Sequence, residues 1–125
     1  MITNMISSRE EAIIAGTILG DSHLAMLKTD ARLEVMHGEK QKDYLFWKYD
    51  ELSSFVSAQP HRLEIVDTRS HKTYVEWKFS TKIHTFFTNL RTQFYPRGRK
   101  IVPRNISTLL VSPLSLAVWF MDDGG

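Results

Sequence analysis

The sequence predicts an α+β fold of the order αββαββα, in which one four-stranded antiparallel sheet carries helices on one face. Three observations point to it. Two pairs of short segments, each with apolar residues at every second position, flank polar turns in the manner of hairpins. Segments of helical periodicity precede, separate and follow those pairs. Two of the helical segments, IAGTILGD (Ile14 to Asp21) and LAVWFMDDGG (Leu116 to Gly125), are small and apolar and end on acids. Two hairpins joined edge to edge can bury one face under helices and leave the other polar and open.

The elements follow in order. Ser8-Arg9-Glu10-Glu11 has the form of a capping box, with Ser8 as N-cap and Glu11 at N3, and opens a helix from about Arg9 to Gly20. Gly20-Asp21-Ser22 is the stop, since glycine tolerates the left-handed conformation of a helix end. Strands at about His23 to Lys28 and Arg32 to His37 are joined by Thr29-Asp30-Ala31, and Leu33 and Val35 alternate with Arg32 and Glu34. Gln41 to Val56 reads as an amphipathic helix. Its buried side is Tyr44, Leu45, Trp47, Leu52 and Phe55, with Lys42, Asp43, Lys48, Asp50 and Glu51 outside.

After Pro60, Leu63 and Ile65 alternate with Arg62 and Glu64. Across the polar loop Asp67-Thr68-Arg69-Ser70-His71, Thr73, Val75, Trp77 and Phe79 alternate with Tyr74, Glu76 and Lys78. A third helix runs from about Lys82 to Phe94, with Ile83, Phe86, Phe87 and Leu90 at helical spacing. Tyr95 to Lys100 is a basic loop, and Ile106 to Leu110 one short helical turn. Ser112-Pro113 starts the final helix, serine at the cap and proline at the first position.

At 125 residues, 42% hydrophobic and 24% charged, the chain is a single globular domain, residues 1–125, with no linker or low-complexity stretch. It has no cysteine, which excludes a disulfide scaffold or thiolate metal site and favours an intracellular compartment. No segment reaches the roughly 18–20 apolar residues of a membrane span. The five histidines show no zinc spacing.

Charge is unevenly distributed. Met1 to Glu76 holds 9 Lys/Arg against 12 Asp/Glu, whereas Trp77 to Met121 holds 7 Lys/Arg and no acid. Such a stretch suits a polyanion, because each cation set on a phosphate releases counterions. A solvated basic surface explains the same numbers.

The acids are more telling. If the two acid-tipped helices pack side by side, Asp21 and Asp123 meet at one end. Two facing carboxylates with little basic compensation bind a divalent cation more naturally than they form a core.

With these residues in place, the chain resembles the LAGLIDADG homing endonucleases. Ile14 to Ser22, IAGTILGDS, is similar to the first signature helix. Leu116 to Gly124, LAVWFMDDG, is similar to the second. KIVPRNI, from Lys100, followed by SPLSLAVWFMDDGG looks most like the monomeric omega-type enzyme of mitochondrial introns. Ser22 stands where the signature has glycine, and Leu19 where the first motif often has an acid.

The resemblance implies a site-specific DNA endonuclease acting by metal-assisted phosphodiester hydrolysis. Small residues at Ala15, Gly16 and Ala117 would let the two helices approach. Asp21 and Asp123 would hold Mg²⁺, or Mn²⁺ on the same ligands, with the backbone carbonyls of Gly20 and Asp122 as further ligands. Lys100 would sit beside the metal site and order or polarise water; its plainer role is a phosphate contact.

The sheet would form a saddle in the major groove of double-stranded DNA. Lys28, Arg32, Arg62, Glu64, Arg69, Lys72, Tyr74, Glu76 and Lys78 are its base-reading candidates, and Arg97 and Arg99 of the basic loop add DNA contacts. A single-chain enzyme of this kind carries a second sheet-bearing half. The expectation is therefore one half plus the second signature helix, either as a fragment of a longer protein or acting with a complementary half supplied as a separate chain. The family's usual home implies a mitochondrion or chloroplast. An intron maturase that binds RNA, or a catalytically silent DNA-binding protein, would use the same fold.

Overall fold

The computed structural model describes residues 6–20, 22–106 and 112–123, the side chain of Asp123 excepted. The chain divides into two units, one made of Met1–Ser22 with Asn89–Gly125 and the other of His23–Thr88.

Strand pairing organises the second unit. β1 (His23–Met26), β2 (Ala31–Gly38), β3 (His61–Asp67) and β4 (Lys72–Ser80) form one antiparallel sheet in the order β1-β2-β4-β3. Both predicted hairpins are present and join through β2 and β4. Leu24, Leu33, Val35 and Phe79 are buried on one face. The helix α2 (Lys42–Glu51) packs there, with the Tyr49 ring 5.7 Å from Phe79 and the Phe46 ring 5.7 Å from Trp77.

Four expectations change in this unit. Lys48, expected outside, is fully buried. Its Nζ lies 3.0 Å from His37 Nε2 and 4.6 Å from the centre of the Tyr44 ring. Helical spacing puts position 48 on the same side as Leu45 and Leu52. The imidazole and the aromatic face supply the partners that a buried ammonium requires.

The second helix also stops at Glu51 and not near Val56. Ser53–Phe55 tightens into a 3₁₀ turn that seats Phe55 with its ring 5.4 Å from Phe87. The third helix, α3 (Thr85–Phe94), begins three residues late. Residues 81–84 instead run beside β2, where the Thr81 and His84 amides donate to the carbonyls of Leu33 and Ala31. Ile83 is consequently exposed, and His84 Nδ1 accepts from the Phe86 amide at the helix start.

The register of the second hairpin is the fourth change. The five-residue loop Asp67 to His71 would set Leu63 opposite Val75 and Ile65 opposite Thr73. The observed pairs are Leu63 with Glu76, Ile65 with Tyr74, and Asp67 with Lys72, so the loop has four residues. A one-residue change of this kind sends every side chain of a strand to the other face. Local chemistry closes the shorter loop. The His71 amide donates to the Asp67 carbonyl at 2.9 Å, the Arg69 amide donates to Asp67 Oδ1 at 2.9 Å, and His71 adopts φ 58°.

Those bonds have a pH signature. The Arg69 amide, with help from the Ser70 side chain, holds the Asp67 carboxyl below its ordinary value. A depressed folded-state value means that the stabilisation is present above the unfolded pKa, near 4, and is lost as pH falls through the lowered value. Protection of the Arg69 and His71 amides, measured against their intrinsic exchange rates, is expected to fall below about pH 4, and Asp67→Asn should remove that dependence. Loss of protection beginning near neutrality would contradict this account.

In the first unit, α1 (Ser8–Leu19) starts one residue earlier than expected. The sequence holds two overlapping capping boxes, and Ser7 with Glu10 makes both reciprocal bonds. The final helix, α4 (Pro113–Asp123), starts as predicted: Ser112 Oγ accepts from the Ser115 amide at 3.1 Å. Of the expected turn at Ile106 to Leu110, residues 107–110 lie outside the described residues.

Candidate active site and nucleic-acid interface

Helices α1 and α4 meet along a seam too tight for side chains on α1. A Cβ at Gly16 would lie 2.4 Å from the Ser115 carbonyl oxygen and 2.8 Å from Val118 Cβ. A Cβ at Gly20 would lie 2.3 Å from Asp122 Cβ and 2.5 Å from its Oδ2. On α4 the seam is therefore Ser115, Val118, Trp119 and Asp122, spaced as one helical stripe. Ala117, expected there, is exposed on the other side.

Gly20 needs a corrected explanation as well. Its φ is −87°, so the helix does not end in a left-handed glycine. Glycine is required because the Asp122 side chain occupies the space of a Cβ. The helix end is closed by other means: the Gly20 amide donates to the carbonyls of Gly16 and Thr17, and Ser22 Oγ donates to the Thr17 carbonyl at 2.6 Å. That hydroxyl accounts for serine in a position where the signature has glycine.

Lys100 reaches the same end of α1. Its Nζ donates to the carbonyl oxygens of Gly20 at 3.1 Å and Ser22 at 2.9 Å, which are the residues on either side of position 21. Leu19, Gly20, Lys100, Ile101 and Val102 line a cleft of about 300 Å³. A second cleft, of about 240 Å³, shares Lys100 and Ile101 and adds Pro96, Arg97 and Arg99. The basic loop thus stands beside the tip of α1, with Arg97 and Arg99 exposed.

Asp21 and the Asp123 side chain lie outside the described residues. Their described neighbours do meet, because Gly20 and Asp122 form the last contact of the seam. Asp122 is only 6% exposed, so its side chain is a packing element of the helix junction. Among the described residues no three His, Asp or Glu stand close enough to hold a metal ion. The described donors at the seam end are all oxygens, which suits a hard cation such as Mg²⁺ or Mn²⁺. The Gly20 carbonyl already accepts from Lys100, yet it retains a second lone pair.

In the other unit, register sorts the candidate base readers. Arg32, Glu34 and Met36 of β2 share the open face with Lys72, Tyr74, Glu76, Lys78 and Ser80 of β4. Arg32 pairs with Glu34 at 2.9 Å, and Lys78 approaches the same carboxylate at 3.8 Å. Arg62 and Glu64 do not join this group. They lie opposite Trp77 and Val75 on the helix-bearing face, where they pair with each other at 2.8 Å. Lys28 and Arg69 are exposed in the two hairpin loops.

The same register brings Leu63 and Ile65 to the open face, a placement that strand alternation read the other way. The parity of the loop, four residues against five, was the one signal that could have revealed it.

A four-stranded antiparallel sheet in the order β1-β2-β4-β3 and two helices packed through glycines define a narrow class of α+β proteins. A sequence model of the LAGLIDADG DNA endonuclease family matches residues 11–125, and the chain belongs to that family. Endonucleases of this family generally use divalent metal ions.

Three similar proteins illustrate the relationship. The probable intron-encoded endonuclease 1 of Wickerhamomyces canadensis is 28% identical over 120 residues, covering 96% of this chain and 52% of its own length. The cytochrome b mRNA maturase bI2 of Debaryomyces hansenii is 28% identical over 114 residues, 88% of this chain and 43% of its own length. The solved structure of the homing endonuclease I-WcaI bound to its DNA recognition sequence matches with a TM-score of 0.86 at 27% identity. That match covers 98% of this chain and 54% of the other. The chain thus spans about half the length of the relatives it matches. No helix among the described residues is long and apolar enough to cross a membrane.

Proposed function

We propose that this chain takes part in site-specific cleavage of double-stranded DNA, with Asp21 and Asp123 as the metal-holding acids. The contact between Gly20 and Asp122 carries this reading. These two positions are equivalents in the two signature segments, and each precedes its aspartate by a single residue, about 3.8 Å along the chain.

When bound, Mg²⁺ or Mn²⁺ supplies activation of a water and stabilisation of the leaving oxygen. Asp21, Asp123 and the carbonyls of Gly20 and Asp122 are the residues to hold it. Lys100 fixes the backbone on both sides of position 21 and presents positive charge toward the phosphates. Arg97 and Arg99 add to that charge, and the open face of the sheet reads bases.

The extra length of the relatives leads us to include a complementary second half as a partner. The intron-encoded relative leads us to expect a gene within an intron of a mitochondrion or chloroplast.

The test is cleavage of a plasmid library of randomised duplex by the chain together with a separately supplied second half from such a relative. Mg²⁺-dependent double-strand ends clustered at one sequence are expected. Ends that scatter, or that persist unchanged in EDTA, would overturn the proposal.

Similarity to an mRNA maturase, together with the acid-free stretch from Trp77 to Met121, favours RNA binding as a second reading. Splicing of a host intron that survives loss of both aspartates would support it. Duplex binding with neither activity would instead support a silent DNA-binding protein.

A further inference from the structure

We propose that Leu63, Ile65 and Tyr74 form an apolar reading strip that takes the C5-methyl groups of thymines in the major groove. The inference rests on the DNA-binding part of the function above, adds Leu63 and Ile65 to its base readers, and assigns a base class to them and to Tyr74.

β3 is amphipathic in an unusual sense. Its charged pair, Arg62 and Glu64, is turned to the helix-bearing face, while Leu63 and Ile65 are turned to the open one. Ile65 lies directly opposite Tyr74, with Leu63 on its diagonal. Ile65 and Tyr74 are 40% and 48% exposed. Scattered apolar residues on a surface need no explanation, but a contiguous apolar group on an open sheet face invites a partner.

The charge pattern indicates which partner. On the open face Arg32, Lys72 and Lys78 are balanced by Glu34, Asp67 and Glu76, so its centre is close to neutral. Phosphate neutralisation calls for a surplus of cations, whereas base readout calls for hydrogen-bonding and apolar groups side by side. Lys72 and Lys78 flank the strip on β4, and Glu76 faces Leu63. This mixture fits base edges. The thymine methyl is the apolar group that those edges display in the major groove.

Spacing adds a constraint. Leu63 and Ile65 are two residues apart on one strand, about 7 Å at the usual rise. Base pairs follow one another at about 3.4 Å. The strip therefore selects thymines about two base pairs apart. Ile65 is β-branched and loses little freedom on contact, which favours its use as a reader.

The experiment selects duplexes from a random pool with the full chain and then replaces each selected thymine by deoxyuridine, which lacks only the methyl. Two positions about two base pairs apart are expected to lose about fourfold in affinity per methyl removed. In the double variant Leu63→Ser, Ile65→Ser, the two forms of DNA should bind within about twofold of each other, while Tyr74→Phe keeps the discrimination. Equal binding of thymine and deoxyuridine duplexes by the wild-type chain would overturn the strip and leave DNA recognition standing. Discrimination that persists in the double variant would do the same. A pool that yields no enriched duplex would bring down the DNA-binding reading and the strip together.

Discussion

Asparagine at position 21 or 123 is expected to lower Mg²⁺-dependent cleavage on the order of 10³-fold each, with duplex affinity unchanged or raised. Asparagine keeps the size and one carbonyl oxygen of aspartate but removes the negative charge that holds a hard cation. A metal's stabilisation of a phosphoryl transition state is several kcal/mol, and each 1.36 kcal/mol of barrier is tenfold in rate. Binding should respond in the opposite sense, because a carboxylate near the scissile phosphates repels them. This divergence separates a lost catalytic group from lost folding, which would lower both quantities. Single-turnover cleavage and gel-shift titration on the same duplex measure the two. Cleavage that survives in either variant would remove that aspartate from the active site and with it the mechanism proposed above.

Leucine at position 16 is expected to destabilise the protein by about 3 kcal/mol or more, lowering the thermal midpoint by about 10 °C. The reason is the identity of the neighbours. A Cβ at Gly16 meets the Ser115 carbonyl oxygen and the Trp119 amide nitrogen, which are backbone atoms of α4 and cannot rotate away. Accommodation requires the two helices to separate, and separation exposes Val118 and Ser115 from a buried seam.

Gly20→Ala is a useful contrast. Its nearest neighbour is the Asp122 Cβ, which moves only with the α4 backbone. Alanine adds far less volume than leucine, so the stability cost should be smaller, while the tip that carries position 21 moves relative to α4 and cleavage falls. A Gly16→Leu variant with an unchanged thermal midpoint would show that the helices do not approach as closely as described.

The parts of this fold that could be read from the chain are those set by near neighbours. Apolar alternation marked both hairpins, helical periodicity marked α2 and α3, and Ser112 with Pro113 marked the start of α4. The two signature segments announced a close helix pair, and Gly16 delivers it. The capping box was visible too, although it was expected at Ser8 and Glu11 and forms one residue earlier, at Ser7 and Glu10.

Tertiary structure decided what depends on distant partners. Burial of Lys48 follows from the imidazole of His37 and the ring of Tyr44, which charge type alone does not reveal. Gly20 is glycine because Asp122, more than a hundred residues later, fills the space beside it. Lys100 finds its role only when it reaches across 80 residues to the carbonyl of Gly20. The face on which Leu63 and Ile65 stand was settled by one residue of loop length, closed by hydrogen bonds to Asp67. Periodicity is a property of neighbours along the chain. Register, close approach and the pairing of a buried charge belong to groups that meet only after folding.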